Sequence, residues 1–117
     1  MRKVNFYKTS SGNSPVEEFL LNLPEQVRRK VLWTLNVIQE LDRVPVEYLK
    51  KLVGTDDIWE VRVESAGLAV RILGFFEQGN FVILTNGFVK KSNKTPHQEI
   101  EIAEHRKQEY LKWKKIS

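Results

Sequence analysis

The chain has 117 residues, 41% of them apolar, with 19 Lys/Arg against 15 Asp/Glu. That length fits a single domain spanning residues 1–117 with one modest core, and a formal charge of +4 points to a polyanionic partner, nucleic acid first. The absence of cysteine excludes a disulfide framework, a thiolate nucleophile and a thiolate metal site.

The first residues do not lead into the apolar stretch of a signal peptide, and no run approaches transmembrane length. The expectation is a soluble, cytoplasmic protein with no membrane partner. Residues 4–7 alternate and read as a short strand. Residues 9–13 are a Ser/Gly/Asn loop. Ser14, Pro15 and Glu17 then mark a helix start: Ser14 at the N-cap, Pro15 at the first helical position, Glu17 completing a capping box. Val16, Phe19, Leu20 and Leu23 follow at helical spacing. Pro24 ends that helix and is expected at the first position of the next, over residues 25–42, whose inner stripe is Val27, Val31, Leu35 and Ile38. Arg28, Arg29 and Lys30 are consecutive, so they fan around this helix as a solvated face or a partner contact. Residues 48–52, between Pro45 and Gly54, read as a helical turn.

The sheet follows. Residues 58–64 alternate, with Trp59, Val61 and Val63 on one face and Glu60, Arg62 and Glu64 on the other. After a turn at Ser65-Ala66-Gly67, residues 68–76 are almost wholly apolar, with Arg71 as the one charge. A second turn over residues 77–80 leads to a strand over residues 81–89. Three strands joined by tight turns form an antiparallel meander. The last helix starts at Thr95-Pro96-His97-Gln98, read as Thr95 at the cap, Pro96 at the first position and Gln98 closing a capping box. Ile102, Ala103, Arg106, Tyr110 and Trp113 share one side of it. The fold class expected is therefore α+β: an N-terminal strand, a two-helix hairpin, a three-stranded meander and a C-terminal helix.

The charge is unevenly spread. Residues 1–57 carry nine Lys/Arg against eight Asp/Glu, residues 58–85 two against three, and residues 86–117 eight against four. A solvated lysine-rich helix would account for part of this. The order of residues 86–97 adds more: Asn86, Lys90, Lys91, Lys94 and His97 all lie where a strand runs out into a loop and a helix begins.

Arg71 is the informative residue, because a charge inside an apolar strand is costly unless paired or kept at a wet face. Paired with Glu60 or Glu64 across the hairpin, it would be structural. Register offers another role. If Ala66-Gly67 is a two-residue turn, Arg62 lies opposite Arg71. If Gln78-Gly79 is likewise the second turn, Arg71 lies opposite Asn86, with Phe88 and Lys90 farther along the same face. Like charges placed opposite one another destabilise a sheet. A face bearing two arginines, an asparagine and a lysine is thus expected to hold an anion, and the positive end of the last helix adds to it. A phosphate between Arg62, Arg71, Lys90 and that helix start would gain about 3–4 kcal/mol of transition-state stabilisation per well-placed donor. His97, beside Lys94, is the candidate acid–base group. His97, Glu101 and His105 do not have zinc-motif spacing, so no metal and no other cofactor is expected. The chain has no P-loop, dinucleotide-binding glycine pattern or nucleophile elbow.

Residues 14–20, the strand Ile58-Trp59-Glu60-Val61-Arg62-Val63, the run Val70-Arg71-Ile72-Leu73, and above all Phe88-Val89-Lys90-Lys91-Ser92-Asn93-Lys94-Thr95-Pro96 followed by Glu99-Ile100-Glu101-Ile102-Ala103 resemble the RelE/ParE toxin superfamily, most closely its HigB-like, phage-associated branch. The resemblance covers nearly the whole chain. It implies a toxin of a type II toxin–antitoxin pair, a ribosome-dependent mRNA endoribonuclease that cleaves by 2′-hydroxyl attack without a metal. It implies a helix-turn-helix antitoxin as partner, in a toxin–antitoxin hetero-oligomer. The matching arginine of RelE-like toxins contacts the scissile phosphate, which places Arg71 there. Arg62, Lys90 and Lys94 match basic positions of the same surface. The catalytic set expected is Arg71, Arg62, His97 and Lys94; the RNA-binding set is Lys90, Lys91, Asn86 and Lys94. Many relatives carry a catalytic Tyr or His near the terminus, and Tyr110 and Trp113 lie too far along a helix to match it. Two other readings stay open: a non-enzymatic inhibitor of a protein such as DNA gyrase, as in ParE-type members, and a non-catalytic RNA-binding module. An Arg71→Ala chain is expected to fold and to lose toxicity.

Overall fold

A computed structural model describes residues 2–78 and 81–116. Its centre is a five-stranded mixed sheet in the order β1-β5-β4-β3-β2, comprising β1 (Lys3–Phe6), β2 (Leu49–Lys51), β3 (Trp59–Ser65), β4 (Leu68–Glu77) and β5 (Phe81–Val89). β1 runs parallel to β5 and the other pairs are antiparallel. Helices α1 (Pro15–Leu21) and α2 (Glu25–Glu40) cover one face, and α3 (His97–Ile116) lies on the other. The expected α+β order is present, with one strand added.

The first helix starts as its sequence dictates: Ser14 Oγ accepts from Glu17 N at 3.3 Å, and Pro15 follows the cap. Pro24 differs from expectation. It is the N-cap of α2, because its carbonyl accepts the first helical bond, from Arg28 N at 2.9 Å, while its own ψ of 146° is not helical. The helix also stops at Glu40, two residues short of the expected end. Leu41 turns extended, and the Arg2 guanidinium donates to the carbonyls of Ile38, Leu41 and Asp42, which the helix end leaves without intrahelical partners.

The helical turn expected over residues 48–52 is corrected to strand β2. One turn does form just before it, with Tyr48 N and Leu49 N both donating to Pro45 O. From Leu49 the backbone extends and pairs with β3, Leu49 opposite Val61, which covers an otherwise open sheet edge.

The first hairpin has the expected register. Ala66 and Gly67 take φ of 49° and 77°, as a two-residue turn of the type favoured in hairpins requires, and Arg62 stands opposite Arg71. The second hairpin does not. The expected turn falls partly on residues 79 and 80, which lie outside the described residues. Glu77 pairs with Phe81, one residue beyond expectation, and a bulge at Leu73/Gly74 adds a second displacement. Arg71 therefore faces Phe88, and Asn86 faces Leu73. Because two single-residue displacements sum to two, Asn86 and Phe88 stay on the face that carries Arg71. The bulge has its own polar partners: the Thr85 carbonyl accepts from Arg106 Nη1 at 2.7 Å, and the Thr85 hydroxyl lies 3.1 Å from Leu73 O.

The main core lies under α1 and α2, where Val16, Val27, Val31 and Ile38 meet Val61, Val63, Val70, Ile72 and Leu84. On the opposite face α3 is laid along β4. Ala103 packs on Leu73 near its start, Tyr110 packs on Phe75 two turns later, and Tyr110 and Lys114 reach Glu77 near its end. Arg71, the next residue on that face, sits just past the start of the helix.

Tyr7 anchors the other end of α3. It is 3% exposed, stacks on Trp113 at 6.0 Å, and donates its hydroxyl to Glu109 Oε2 at 2.9 Å. Burial first, then the hydrogen bond and the charge of Glu109, push the phenol up to about 12, against an opposing pull from Arg106. The unfolded chain releases this proton near 10, so it binds fewer protons than the native state between those values. Stability is thus expected to be whole below pH 10 and to fall by about 2–3 kcal/mol by pH 12. Chemical denaturation across that range should show the slope, and Tyr7→Phe should remove most of it, leaving the part due to Tyr110, which burial and Glu77 also raise.

Candidate functional site

Where α3 stops covering the sheet, the ends of β3, β4 and β5 leave a hollow of about 410 Å³ lined by Arg62, Ala69, Arg71, Lys90, Lys91, Ser92 and Asn93. Alternation on β3 and β4 turns Arg62 and Arg71 to this side, and the ladder places them opposite one another. Lys90 follows β5 directly, its N–H donating to Ala69 O at 2.7 Å, so the lysine loop leaves the sheet beside the arginines.

Two arginines opposed in this way need a counter-charge, and Glu60 supplies it. Its side chain is 3% exposed, with Oε1 3.7 Å from Arg62 Nε and 3.8 Å from Arg71 Nε. Those are ion-pair distances rather than hydrogen bonds. Both Nε atoms are buried and have no hydrogen-bond partner among the described residues. Arg71 also pairs through Nη1 with Glu64 Oε1 at 2.8 Å and donates to Val70 O at 3.0 Å. Both structural partners left open by the sequence are thus present, and the arginine pair keeps two buried Nε–H groups that ion-pair with Glu60 but make no hydrogen bond among the described residues.

Thr95 was expected as a helix cap. Its hydroxyl instead donates to Glu60 Oε2, and Pro96 occupies the position before α3, its carbonyl accepting from Ile100 N at 3.3 Å. One carboxylate therefore ties the end of the lysine loop to both arginines. The strand alternation gave the signal for Glu60, which shares a face with Arg62; nothing in the sequence signals Thr95 in this role.

The other expected site residues are placed as follows. Asn86 is buried, and its amide donates to Glu99 O at 3.2 Å and Glu99 Oε1 at 2.9 Å, pinning the first turn of α3 to β5. Lys94 is exposed, with its carbonyl accepting from Ser92 Oγ. His97 is the first residue of α3; its ring is largely in solvent, with Nε2 3.0 Å from Glu101 Oε1. Neither Lys94 nor His97 lines the hollow. His105 pairs separately with Glu109 at 2.9 Å. Among the described residues no group of three or more His, Cys, Asp or Glu side chains is arranged to hold a metal ion, and no helix is long and apolar enough to cross a membrane.

The hollow gathers two guanidinium groups from the sheet and two lysines from the loop, with the Glu60 carboxylate already set between the arginines. No curated protein matches the chain. A family model described as phage derived protein Gp49-like (DUF891) matches residues 18–108, a span that includes Glu60, both arginines, the lysine loop and most of α3. By that match, which covers most of its length, the chain belongs to the phage-derived Gp49-like family, a RelE/ParE-like toxin family.

Proposed function

We propose that this protein is the toxin of a type II toxin–antitoxin pair, close to the HigB-like branch, and that it cleaves mRNA on the ribosome by attack of a 2′-hydroxyl on the adjoining phosphorus, which breaks the bond to the 5′-oxygen of the next nucleotide; that oxygen leaves as a protonated hydroxyl and a 2′,3′-cyclic phosphate remains. The observation that carries the reading is the pair of opposed arginines, Arg62 and Arg71, held by Glu60 and set with Lys90 and Lys91 around one hollow. In this proposal the arginines hold the scissile phosphate and stabilise the charge that builds on it. Lys90, Lys91 and Lys94 contact the flanking backbone, and Asn86 serves by fixing the helix start. The chain acts in the cytoplasm as one domain, and a helix-turn-helix antitoxin covers the basic face until it is released.

In this scheme His97, which lies outside the lining of the hollow and pairs with Glu101 in the resting chain, turns toward the phosphate to carry the proton transfer. His97→Asn is expected to lower the cleavage rate by about 10²-fold while leaving RNA binding unchanged, since general acid–base groups contribute about 10²–10⁴. An unchanged rate in that variant would remove His97 from the mechanism and leave the arginine site standing. The whole reading is tested by inducing expression and mapping mRNA 5′ ends. New ends within translated messages, in codon register, support it; intact messages with stalled replication would overturn it.

A further inference from the structure

The hollow at Arg62 and Arg71 is one end of a longer depression. A second hollow, of about 190 Å³, shares Arg62 with it and is bordered by Tyr48, Lys30, Glu47 and Glu64. A third, of about 780 Å³, shares Lys30 and Glu64 with the second and continues between the start of α2 and the β3–β4 turn, past Arg29 and Glu25. The three adjoin through the side chains they share and make an interrupted trough that passes from the lysine loop over β3 to α2. From Arg62 to Ser65 alone it follows about 10 Å of strand.

Its charge and its aromatic side chain point the same way. Six cations line it: Arg29, Lys30, Arg62, Arg71, Lys90 and Lys91. Three carboxylates do so as well, and two of these are already matched: Glu25 by Arg29 at 2.7 Å and Glu64 by Arg71 at 2.8 Å. Lys30, Lys90 and Lys91 have no ion pair among the described residues; Lys30 reaches across to the Glu64 carbonyl at 3.4 Å. In the middle stands Tyr48, half-buried, its carbonyl accepting from Arg62 N at 2.9 Å and its ring set edge-to-face on Trp33 at 5.7 Å. A cationic groove with a fixed aromatic ring is what an unpaired nucleic-acid strand needs: charge for its phosphates, a flat face for a base. An acidic protein segment would use the charge but has no use for the ring.

We infer that this trough is an extended binding site for single-stranded RNA, with Lys30 and Arg29 contacting phosphates beyond the arginine pair and Tyr48 stacking a base beside Arg62. The inference rests on the ribonuclease reading and adds to it the path of the strand. It gives Arg29 and Lys30, which the sequence left as a solvated face or partner contact, a defined partner.

Binding of uncleavable 2′-O-methyl oligonucleotides tests it, with a dinucleotide that fills the arginine hollow compared with a hexanucleotide that reaches α2. The hexanucleotide should bind the native chain more tightly. Tyr48→Leu should weaken it about tenfold, the loss of one stacked base. Lys30→Gln should reduce the salt dependence of its binding by about 0.7 in the log–log slope, the loss of one phosphate contact on a single strand. Both variants should bind the dinucleotide as the native chain does, which also shows that they are folded. The trough is overturned if the hexanucleotide gains nothing over the dinucleotide, or if the variants leave its binding unchanged or weaken both probes equally. It is also overturned if polyglutamate, rather than RNA, binds in a manner dependent on Lys30 and Tyr48. If neither oligonucleotide binds the native chain, the trough is overturned while the ribosome-dependent reading stands or falls separately, on the mapping of mRNA 5′ ends.

Discussion

Arg71→Ala is expected to abolish growth arrest on expression and, contrary to what the sequence suggested, to weaken the fold as well. In transition-state terms, losing one fixed donor to the phosphate corresponds to about a 10²–10³-fold lower rate. The stability loss arises from Glu60. Both side chains are almost fully buried, and removing one member of a buried ion pair strands the other charge, at a cost of about 3–5 kcal/mol. Glu60 keeps Thr95 and Arg62 as neighbours, so the lower end of that range is expected. Two effects in one variant would blur the reading, and a second variant separates them. Glu60→Gln combined with Arg71→Ala removes the stranded charge, so it should recover part of the stability and none of the toxicity. Urea midpoints for the two single variants and the double variant measure the coupling, and growth assays of the same strains measure function. A double variant that regains toxicity would remove Arg71 from the site.

Gly74→Val is expected to have the largest effect on the fold itself. A Cβ built at Gly74 would lie 2.5 Å from the Ile83 carbonyl oxygen and 3.2 Å from its carbon. Those are backbone atoms of the neighbouring strand and cannot rotate aside. Gly74 also sits at the bulge, where the pairing with β5 changes step. Overpacking of a tight interior costs about 1–3 kcal/mol, and here strands β4 and β5 must separate besides, so the upper end or beyond is expected. Thermal unfolding should show a large drop in midpoint. A surviving folded fraction should have lost RNA binding, because the same step in register sets Lys90 beside Arg71. Native stability with native RNA binding would mean that the bulge is not what aligns them.

Much of the fold was legible because local signals and burial agreed. The Ser14-Pro15 start, the apolar stripe of α2, the Ala66-Gly67 turn and the alternation of β3 each specify one conformation by steric and hydrogen-bonding preference. The opposed arginines followed from the first hairpin, whose turn fixes its register. The second hairpin was misjudged because a bulge is decided by contacts across strands, and Thr85 carries no local mark of its pairing with Arg106 and Leu73. β2 was missed for a related reason. A three-residue strand has too short a pattern to read, and it forms because the edge of β3 is there to pair with.

The site divides in the same way. Which residues carry positive charge, and that Arg62 meets Arg71, is written in the chain, since side-chain type and a two-residue turn are local properties. That Lys90 and Lys91 share a hollow with them while Lys94 and His97 stay outside its lining was settled only when α3 packed on Leu73 and Phe75. Glu60 becomes a counter-ion for both arginines, and Thr95 its anchor, only where strand β3 and the loop before α3 are brought together in space. Electrostatic and packing interactions between residues 35 positions apart depend on distance, and distance belongs to the folded molecule.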